Sequence, residues 1–335
     1  MATDFTEETA TAAVVESFAD TPDTRLRELL GSLVKHLHAF VREAEPTIGE
    51  WEQAIEFLTA TGQKCDAERQ EFILLSDVLG VSMLVETINH RKTAGATEAT
   101  VLGPFHMTVS PRRELGDTID LVGTGPQCVV EGRVLSVDGK PLPAAELDVW
   151  QASDQGFYDV QQPGVQPRGN GRGLFTADAD GAFWFRTVVP TYYPIPTDGP
   201  VGALLAATKR HPYRPAHIHF IATAQGHSPL TTHIFVAGSE YIESDAVFAV
   251  KRSLIVDFTQ VDDPAEAATY GLTAPFHLAA FDIVLQPTAL CRCFASYDGT
   301  RLAHQVQGSG SPLVCVPGSG PPSRRRCSRP ARWPC

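Results

Sequence analysis

Cysteine is scarce in most of this chain, and no long apolar run occurs anywhere in it. Only Cys65 and Cys128 fall within the first 290 residues, which is too few for a disulfide framework or a CxxC metal pair. No segment approaches the roughly 18 apolar residues that a membrane helix needs. The first residues are acidic, whereas a signal peptide is basic and then apolar. We therefore expect a cytoplasmic protein with no membrane span.

Positive charge is scarce as well. The chain has 27 Lys and Arg against 39 Asp and Glu, so its formal net charge is −12. A surface that binds nucleic acid needs a basic patch, because it must neutralise phosphates. The few basic clusters here are not interleaved with aromatic residues, so we expect no nucleic-acid partner.

The first hundred residues have the hydrophobic periodicity of helices. Apolar residues recur every three or four positions from Thr24 to Val41, behind a Thr-Pro-Asp-Thr start signal. Further helices are predicted over 48–61, ending at Gly62, and over 66–89. We therefore predict a helical region at residues 1–100.

After Gly103 and Pro104 the pattern changes to short runs of alternating or β-branched residues. The runs CVVEGRVLSV and AFWFRTVV are examples, and Asp-Gly turn signals separate several of them. Such strands predict an antiparallel β-sandwich over residues 101–287. The expected fold class is α+β.

The last part of the chain, residues 288–335, differs from the rest. It starts like the opening strands of another domain and resembles the beginning of an α/β-hydrolase, then changes to SRRRCSRPARWPC, which has no period. A truncated fusion or a frame shift would produce such a segment. We predict that it is disordered and assign it no catalytic role.

Two histidines, His217 and His219, occupy one predicted strand in the stretch RPAHIHF. Side chains alternate along a strand, so both imidazoles point to the same face, about 7 Å apart along it, and can converge on one metal. The pair alone is more often two core histidines than two ligands. It needs further ligands before it indicates a metal site.

Tyrosines are the nearest further candidates, since no cysteine lies in this region. Tyr158, Tyr192 and Tyr193 stand at strand ends or loops, although most loop tyrosines only pack a ring and solvate a hydroxyl group. Two phenolates with two imidazoles would form a hard, anionic site that favours Fe(III). A strongly Lewis-acidic cation would also be needed to ionise tyrosine, whose pKa is about 10.

Several long motifs in fixed order resemble the intradiol ring-cleaving dioxygenases, over roughly residues 20–287. Among the members of that family, the sequence looks most like those that cleave hydroxyquinol (benzene-1,2,4-triol). The motifs are LGPFHM at 102–107, DVWQASDQGFYDVQQPGVQP at 148–167, GLFTADADGAFWFRTVVPTYYPIPTDGPVG at 173–202, RHPYRPAHIHF at 210–220 and LTTHIFVAG at 230–238.

The resemblance implies a non-haem Fe(III) held by Tyr158, Tyr193, His217 and His219. Tyr193 matches the ligand position because it stands third after Pro190, where the family has its tyrosine, and Tyr192 does not. By the same resemblance Tyr193 also accepts a substrate proton. Arg214 matches the arginine beside the bound substrate and is implied to be catalytic. His233 corresponds to a polar residue beside the iron ligands, or it is a core histidine bonded to a backbone carbonyl.

The resemblance also implies which residues line the substrate ring pocket. Asp77 is the informative one, because a carboxylate within LLSDVLGVSML is costly to bury without a hydrogen-bond partner. A third hydroxyl group on the substrate would be such a partner; alternatively Asp77 bonds to nearby backbone, and Leu74 can be a simple core residue. The implied pocket residues are Leu74, Asp77, Val101, Leu102, Gly103, Pro104, Ile195, Pro196 and Arg214.

The expected activity is cleavage of hydroxyquinol by O₂ to maleylacetate. Cleavage of catechol or a chlorocatechol to a muconate is the alternative within the family. A β-sandwich binding module, whose tyrosines and histidines only pack, is the alternative from another class. The resemblance further implies a homodimer formed through the helical region, with a phospholipid at the dimer interface.

Overall fold

The computed structural model describes residues 4–66, 69–107 and 109–288, and the backbone of two strands at Cys291–Ala295 and Arg301–Gln305. Helices predominate in the first part of this chain and strands in the rest, so the predicted α+β class is confirmed. None of the described helices has the length and hydropathy needed to cross a bilayer. The helices are α1 (Ala10–Glu16), α2 (Thr24–Ala44), α3 (Ile48–Gln63), α4 (Glu71–Val78), α5 (Val81–Asn89), α6 (Pro200–Ala207) and α7 (Pro264–Thr269).

Most of the strands build two five-stranded sheets. The strands are β1 (Gln127–Ser136), β2 (Glu146–Gln151), β3 (Arg172–Thr176), β4 (Ala182–Val188), β5 (Tyr193–Pro194), β6 (Tyr213–Arg214), β7 (His217–Thr223), β8 (Leu230–Val236), β9 (Ile255–Val256), β10 (Thr259–Val261), β11 (Phe276–Ala280), β12 (Ile283–Leu285), β13 (Cys291–Ala295) and β14 (Arg301–Gln305). The first sheet has the order β10-β11-β1-β12, with β4 beside β1, and the second has the order β3-β2-β7-β8-β9.

The chain divides into two compact units: residues 1–58 with 289–335, and residues 59–288. In the first unit α1 packs on α2, and the Thr11 hydroxyl contacts His38 Nδ1 at 3.0 Å. Asp23 caps α2, since its Oδ1 accepts from the backbone N–H groups of Arg25 and Leu26 at 2.8 and 3.0 Å. The helices predicted from Thr24 and from Ile48 are confirmed as α2 and α3, but the predicted stop at Gly62 is wrong, because α3 continues through Gly62 to Gln63.

The carboxy-terminal segment contributes β13 and β14, which pair in antiparallel fashion. The rest of this segment lies outside the described residues, and so does the prediction that it is disordered. The proposed division at residues 1–100, 101–287 and 288–335 likewise stays a prediction.

The single helix predicted over 66–89 is wrong, because the chain forms two helices there. α4 ends at Val78, and α5 begins at Val81 after Gly80, whose φ of 72° is left-handed. A left-handed residue cannot continue a right-handed helix, and glycine adopts this conformation at no steric cost. The periodicity alone did not reveal the break.

The two sheets pack their apolar faces together to form the main core. Phe183 and Phe185 from the first sheet contact Phe220 of the second, each with ring centroids 6.3 Å apart. β2 with β3, β2 with β7, and β7 with β8 pair in antiparallel fashion, as predicted for the sandwich. β1, however, pairs in parallel with β11 and β12, which follow it by more than a hundred residues. A long connection permits either direction, which a hairpin does not.

Strand alternation leaves the outer face of the second sheet free for other side chains. Ile218 and Phe220 of β7 enter the core between the sheets, whereas His217 and His219 lie on the opposite face. The segment around Gly103 crosses this outer face so closely that a Cβ at Gly103 would lie 3.1 Å from His219 Cε1. The two histidines are thereby enclosed, with 2% and 1% of their surface exposed.

Candidate metal centre

His217 and His219 present their Nε2 atoms to one another on the outer face of β7. The Nδ1–H of His217 donates to the Pro215 carbonyl at 2.7 Å, which leaves its Nε2 unprotonated. The two Nε2 atoms lie 3.1 Å apart. His219 is held in place by Trp150 of the neighbouring strand, whose ring stacks on it at a centroid distance of 4.5 Å.

Tyr158 reaches the same point from the loop after β2. Its hydroxyl oxygen lies 3.0 Å from His219 Nε2, and its ring stacks on Phe105 at 4.6 Å. Gly156 allows the loop to approach, since a Cβ there would lie 3.2 Å from Tyr193 Cβ and its φ is 81°. Tyr158 is 1% exposed, so the loop delivers a fully buried phenol.

Tyr193 and Tyr192 diverge at strand β5, although they are adjacent in sequence. The Tyr193 hydroxyl lies 3.4 Å from that of Tyr158, and its ring is 3% exposed. Tyr192 is 37% exposed and packs on Tyr213 and Tyr241, away from the histidines. The alternation of strand side chains thus brings Tyr193, and not Tyr192, to the cluster.

The four predicted ligands therefore come together from three separate segments. Their heteroatoms are 3.0, 3.1 and 3.4 Å from their neighbours. Two ligands bound at about 2.1 Å and at right angles are about 3.0 Å apart, so this spacing fits a set of donors around one small cation. Two phenol oxygens and two imidazoles are hard and borderline donors, which is a donor set that suits iron.

Burial keeps the cluster free of positive charge on its imidazoles. Burial, and next the neighbouring Arg214 cation, lower the pKa of His217 well below its ordinary value. The pKa of His219 is lowered by burial and then by His233. Neutral imidazoles are the form that binds metals. Burial and the adjacent Tyr193 raise the pKa of Tyr158, so a cation is needed to make it a phenolate.

His233 joins the histidine pair from β8, where it stands opposite His219. Its ring centroid lies 4.1 Å from that of His219, and nitrogens of the three imidazoles lie within 4.8 Å of one another. Burial, and next His217 and Arg214, lower the pKa of the fully buried His233, whereas a hydrogen bond with the Val101 backbone opposes this shift. The structure thus brings His233 beside the predicted ligands, close enough to act as a further ligand or as a neighbour of one.

Arg214 lies at the edge of the cluster, paired with Tyr193 across β5 and β6. Its Nη1 lies 3.2 Å from His217 Nε2, and its Nε donates to Asp245 Oδ1 at 3.1 Å. Burial by itself would lower the pKa of Arg214, but the carboxylate of Asp245 raises it, so the guanidinium stays charged. A fixed, buried cation therefore stands beside the four donors.

The predicted pocket residues are only partly assembled in one place. Leu74, Val101 and Ile195 share one apolar cluster, and Gly103 lies against His219. By contrast, Leu102 and Pro104 are exposed and Pro196 is half-buried.

Asp77 is 9% exposed at the end of α4. Burial raises the pKa of Asp77, while a hydrogen bond from Ser82 and the charge of Arg214 lower it. Asp77 is thus a buried carboxylate that has one hydrogen-bond partner, Ser82, and that senses the charge of Arg214.

Three residues of this region were not predicted from the sequence. Trp150 packs on His219, Val247 belongs to the apolar cluster that contains Ile195, and Asp245 binds Arg214. Asp245 stands in SDAVFAV, directly before a run of apolar residues. Burial of this carboxylate could therefore have been expected on the same ground as that of Asp77, but no local pattern pairs it with Arg214.

Known proteins resemble this chain over both of its main parts. The family profile described as "Dioxygenase" matches residues 105–287, and the one described as "Catechol dioxygenase N terminus" matches residues 23–97. A hydroxyquinol 1,2-dioxygenase of Rhizobium sp. (strain MTP-10005) is 53% identical over 80% of this chain and 90% of its own. A 6-chlorohydroxyquinol 1,2-dioxygenase of Cupriavidus pinatubonensis is 48% identical over 85% and 99%. The crystal structure of hydroxyquinol 1,2-dioxygenase from Pseudomonas putida DLL-E4 has a TM-score of 0.80 at 49% identity, covering 84% and 99%.

Proposed function

Because this chain belongs to the family of intradiol ring-cleavage dioxygenases, we propose that it cleaves hydroxyquinol with O₂ to give maleylacetate, at an Fe(III) centre. The observation that carries the proposal is the meeting of two phenol oxygens and two imidazole nitrogens at 3.0–3.4 Å in a buried site. Relatives named for hydroxyquinol or 6-chlorohydroxyquinol support this substrate class.

We assign the iron to Tyr158, Tyr193, His217 and His219. The closeness of the four donors and the neutral state of the imidazoles support this set. We place His233 next to the ligands rather than among them, since the Val101 backbone supplies it with a hydrogen bond.

The side chains then divide the work of the reaction. When bound, ferric iron supplies a Lewis acid that draws electron density from a chelated diol and makes the ring the electron donor to O₂. Tyr193 takes up one diol proton at its phenolate oxygen. Arg214 stabilises negative charge on the substrate ring, because a buried cation beside the ring acts strongly in a site without water. Both oxygen atoms of O₂ end in the dicarboxylate product.

Asp77 is proposed to recognise the third hydroxyl group of hydroxyquinol. Asp77 is 9% exposed and has Ser82 as one hydrogen-bond partner, and the third hydroxyl group would supply a further hydrogen bond that catechol cannot make. We propose that Leu74, Val101 and Ile195 form the apolar wall of the ring pocket. Leu102, Gly103, Pro104 and Pro196 stay proposed as further lining residues.

A homodimer with a phospholipid at its interface, acting in the cytoplasm, completes the proposal. Apolar side chains that stay exposed on α4 and α5 support an apolar partner: Ile73 is 55% exposed, Leu84 60% and Val85 53%. Light scattering on the purified protein and mass spectrometry of its lipid extract test the two parts separately.

Purified protein tests the activity directly. We expect a red to purple colour from phenolate-to-iron charge transfer, and uptake of about one O₂ per hydroxyquinol with slower uptake on catechol and 4-chlorocatechol. A colourless protein that stays inactive after ferric reconstitution would favour a binding module, and faster turnover of catechol would reassign the substrate.

Two histidine variants test the ligand set. His219→Gln should lose iron and colour, and His233→Gln should keep both. Loss of iron in both variants to the same extent would instead favour the three histidines as ligands.

A further inference from the structure

Arg214 is held by one buried carboxylate, that of Asp245. The Arg214 Nε donates to Oδ1 at 3.1 Å and Nη2 to Oδ2 at 3.4 Å. Arg214 and Asp245 are 3% and 5% exposed. The third guanidinium nitrogen, Nη1, is turned toward His217 Nε2 at 3.2 Å. Asp245 therefore fixes one side of the guanidinium and directs the other side toward the metal cluster.

The same carboxylate also shapes the loop on which it stands. Its oxygens accept from the backbone N–H groups of Val247 at 3.3 Å and Ala249 at 3.0 Å. Between these two residues Phe248 has a φ of 60°, a conformation that a bulky residue rarely adopts. The two hydrogen bonds stabilise this strained turn, because they bind the backbone on both sides of Phe248.

The turn places Val247 against the proposed ring pocket. Val247 is 3% exposed and shares an apolar cluster with Ile195 and with Leu74 and Val101. One carboxylate thus has two effects at the site: it orients the cation through its ion pair, and it sets the pocket wall through its backbone bonds. Neither effect requires contact with the substrate.

We propose that Asp245 is a positioning residue of the ring-cleavage site, which holds the Arg214 guanidinium in register with the substrate ring and fixes Val247 in the pocket wall. This inference rests on the proposed function. A misplacement of about 1 Å near reacting atoms costs on the order of 100-fold in rate. The position of the guanidinium, and not only its charge, therefore controls turnover.

The test compares four variants of the iron-loaded enzyme on hydroxyquinol. Asp245→Asn keeps the size of the side chain and removes its charge, and Asp245→Glu keeps the charge and displaces it. Arg214→Gln and the double variant Asp245→Asn/Arg214→Gln show whether Asp245 acts through Arg214. The control is Glu243→Gln, an exposed carboxylate on the same loop.

We expect Asp245→Asn to keep iron and colour while kcat falls on the order of 100-fold, and Asp245→Glu to recover part of that loss. The double variant should match Arg214→Gln within a few-fold, since the two residues act as one unit. Glu243→Gln should behave like the wild type.

Wild-type kcat and KM in Asp245→Asn would overturn the proposal, and so would fully additive losses in the double variant. If Asp245→Asn does not fold, Asp245→Glu replaces it in the test. This variant keeps the ion pair but displaces the carboxylate, so wild-type kinetics in Asp245→Glu would contradict a positioning role. Failure of the proposed function is distinct, since the wild type itself would then neither bind iron nor consume O₂.

Discussion

At the scale of single residues, two adjacent tyrosines differ in whether their side chain reaches the buried donor cluster. Tyr192 and Tyr193 are neighbours, but only Tyr193 lies beside Tyr158, 3.4 Å away between the hydroxyl oxygens. Tyr192 lies with Tyr213 and Tyr241 at the surface. The adjacent tyrosines therefore provide a test residue and its own control.

Tyr193→Phe should lower kcat on hydroxyquinol about 100-fold or more, because the substrate loses the phenolate that takes up its proton. The visible band should also shift, since one phenolate is removed from the metal. Tyr192→Phe should keep the band and the kcat of the wild type. Equal losses in both variants, measured by stopped-flow absorbance, would argue against the assignment of Tyr193.

Asp77→Ala should reduce turnover of hydroxyquinol more than that of catechol. Loss of a hydrogen bond between a charged group and the third hydroxyl group is worth about 10- to 100-fold. Catechol has no such hydroxyl group, so kcat/KM on catechol should change little. Equal reduction on the two substrates would show that Asp77 has a structural role only.

The site residues could be predicted to different degrees for physical reasons. His217 and His219 are two positions apart on one strand, so local alternation places them together. Their meeting with Tyr158 and Tyr193 depends on contacts over 35 and 61 residues, and family resemblance alone indicated it. The Asp245 contact, 31 residues from Arg214, has no local pattern and was missed.

At the scale of elements, the break between α4 and α5 shows what periodicity leaves out. Apolar residues continue through Leu79 and Val81, yet Gly80 ends α4 in a left-handed turn. Helix α2, by contrast, was predicted correctly, because the Asp23 cap and the apolar periodicity both indicate a helix that begins at Thr24. The parallel pairing of β1 with β11 and β12 also has no local signal, since the partners are distant in sequence.

Gly80→Ala should destabilise the protein by about 1–2 kcal/mol, because alanine is strained at a φ of 72°. The Cβ itself has room, with Phe248 Cδ2 3.5 Å away. Gly62→Ala is the matched control: Gly62 is helical, and alanine there should be neutral or stabilising by up to about 1 kcal/mol. Urea denaturation measures both, and a loss in Gly62→Ala as large as that in Gly80→Ala would contradict the explanation.

An ion-pair network joins α4 to the segment before α6. Asp198 accepts from Arg69 Nη1 at 2.7 Å and Lys64 Nζ at 3.0 Å, and Arg69 also binds the buried Glu71. Glu71 in turn accepts from the Val201 N–H in the first turn of α6. The network therefore ties the helix that carries Leu74 and Asp77 to the segment that follows Ile195.

The network makes a pH-dependent contribution to stability. Arg69, and next Lys64, lower the pKa of Asp198 to about 2, whereas an unfolded aspartate has a pKa of about 3.9. The stabilisation is present above pH 4 and is lost as the pH falls toward 2. Asp198→Asn should therefore be less stable than the wild type at pH 5, with a difference that shrinks below pH 4.

Urea titrations at each pH measure this difference, and Asp257→Asn is the control, since Asp257 is exposed and has no ion pair among the described residues. The effect should be small, because Asp198 is 66% exposed and solvent screens the pair. A difference that stayed constant from pH 5 to pH 2 would contradict the assigned cause.

At the scale of the whole chain, the strands supply most of the site side chains and one loop supplies Tyr158. β7 and β8 bring the histidines, the loop after β2 brings Tyr158, and β5 brings Tyr193. The apolar core behind β7 fixes the sheet face on which these groups meet. The central claim that follows is intradiol cleavage of hydroxyquinol at this one buried cluster.

Ring cleavage of hydroxyquinol under oxygen-18 gas, followed by mass spectrometry of the product, tests that claim most directly. Intradiol cleavage breaks the bond between the two adjacent hydroxyl-bearing carbons and adds both atoms of O₂ to the product. We therefore expect maleylacetate that carries two labelled oxygens. A product without label, an aldehyde from cleavage beside the diol, or a merely oxidised quinone in the presence of the iron-loaded enzyme would contradict it.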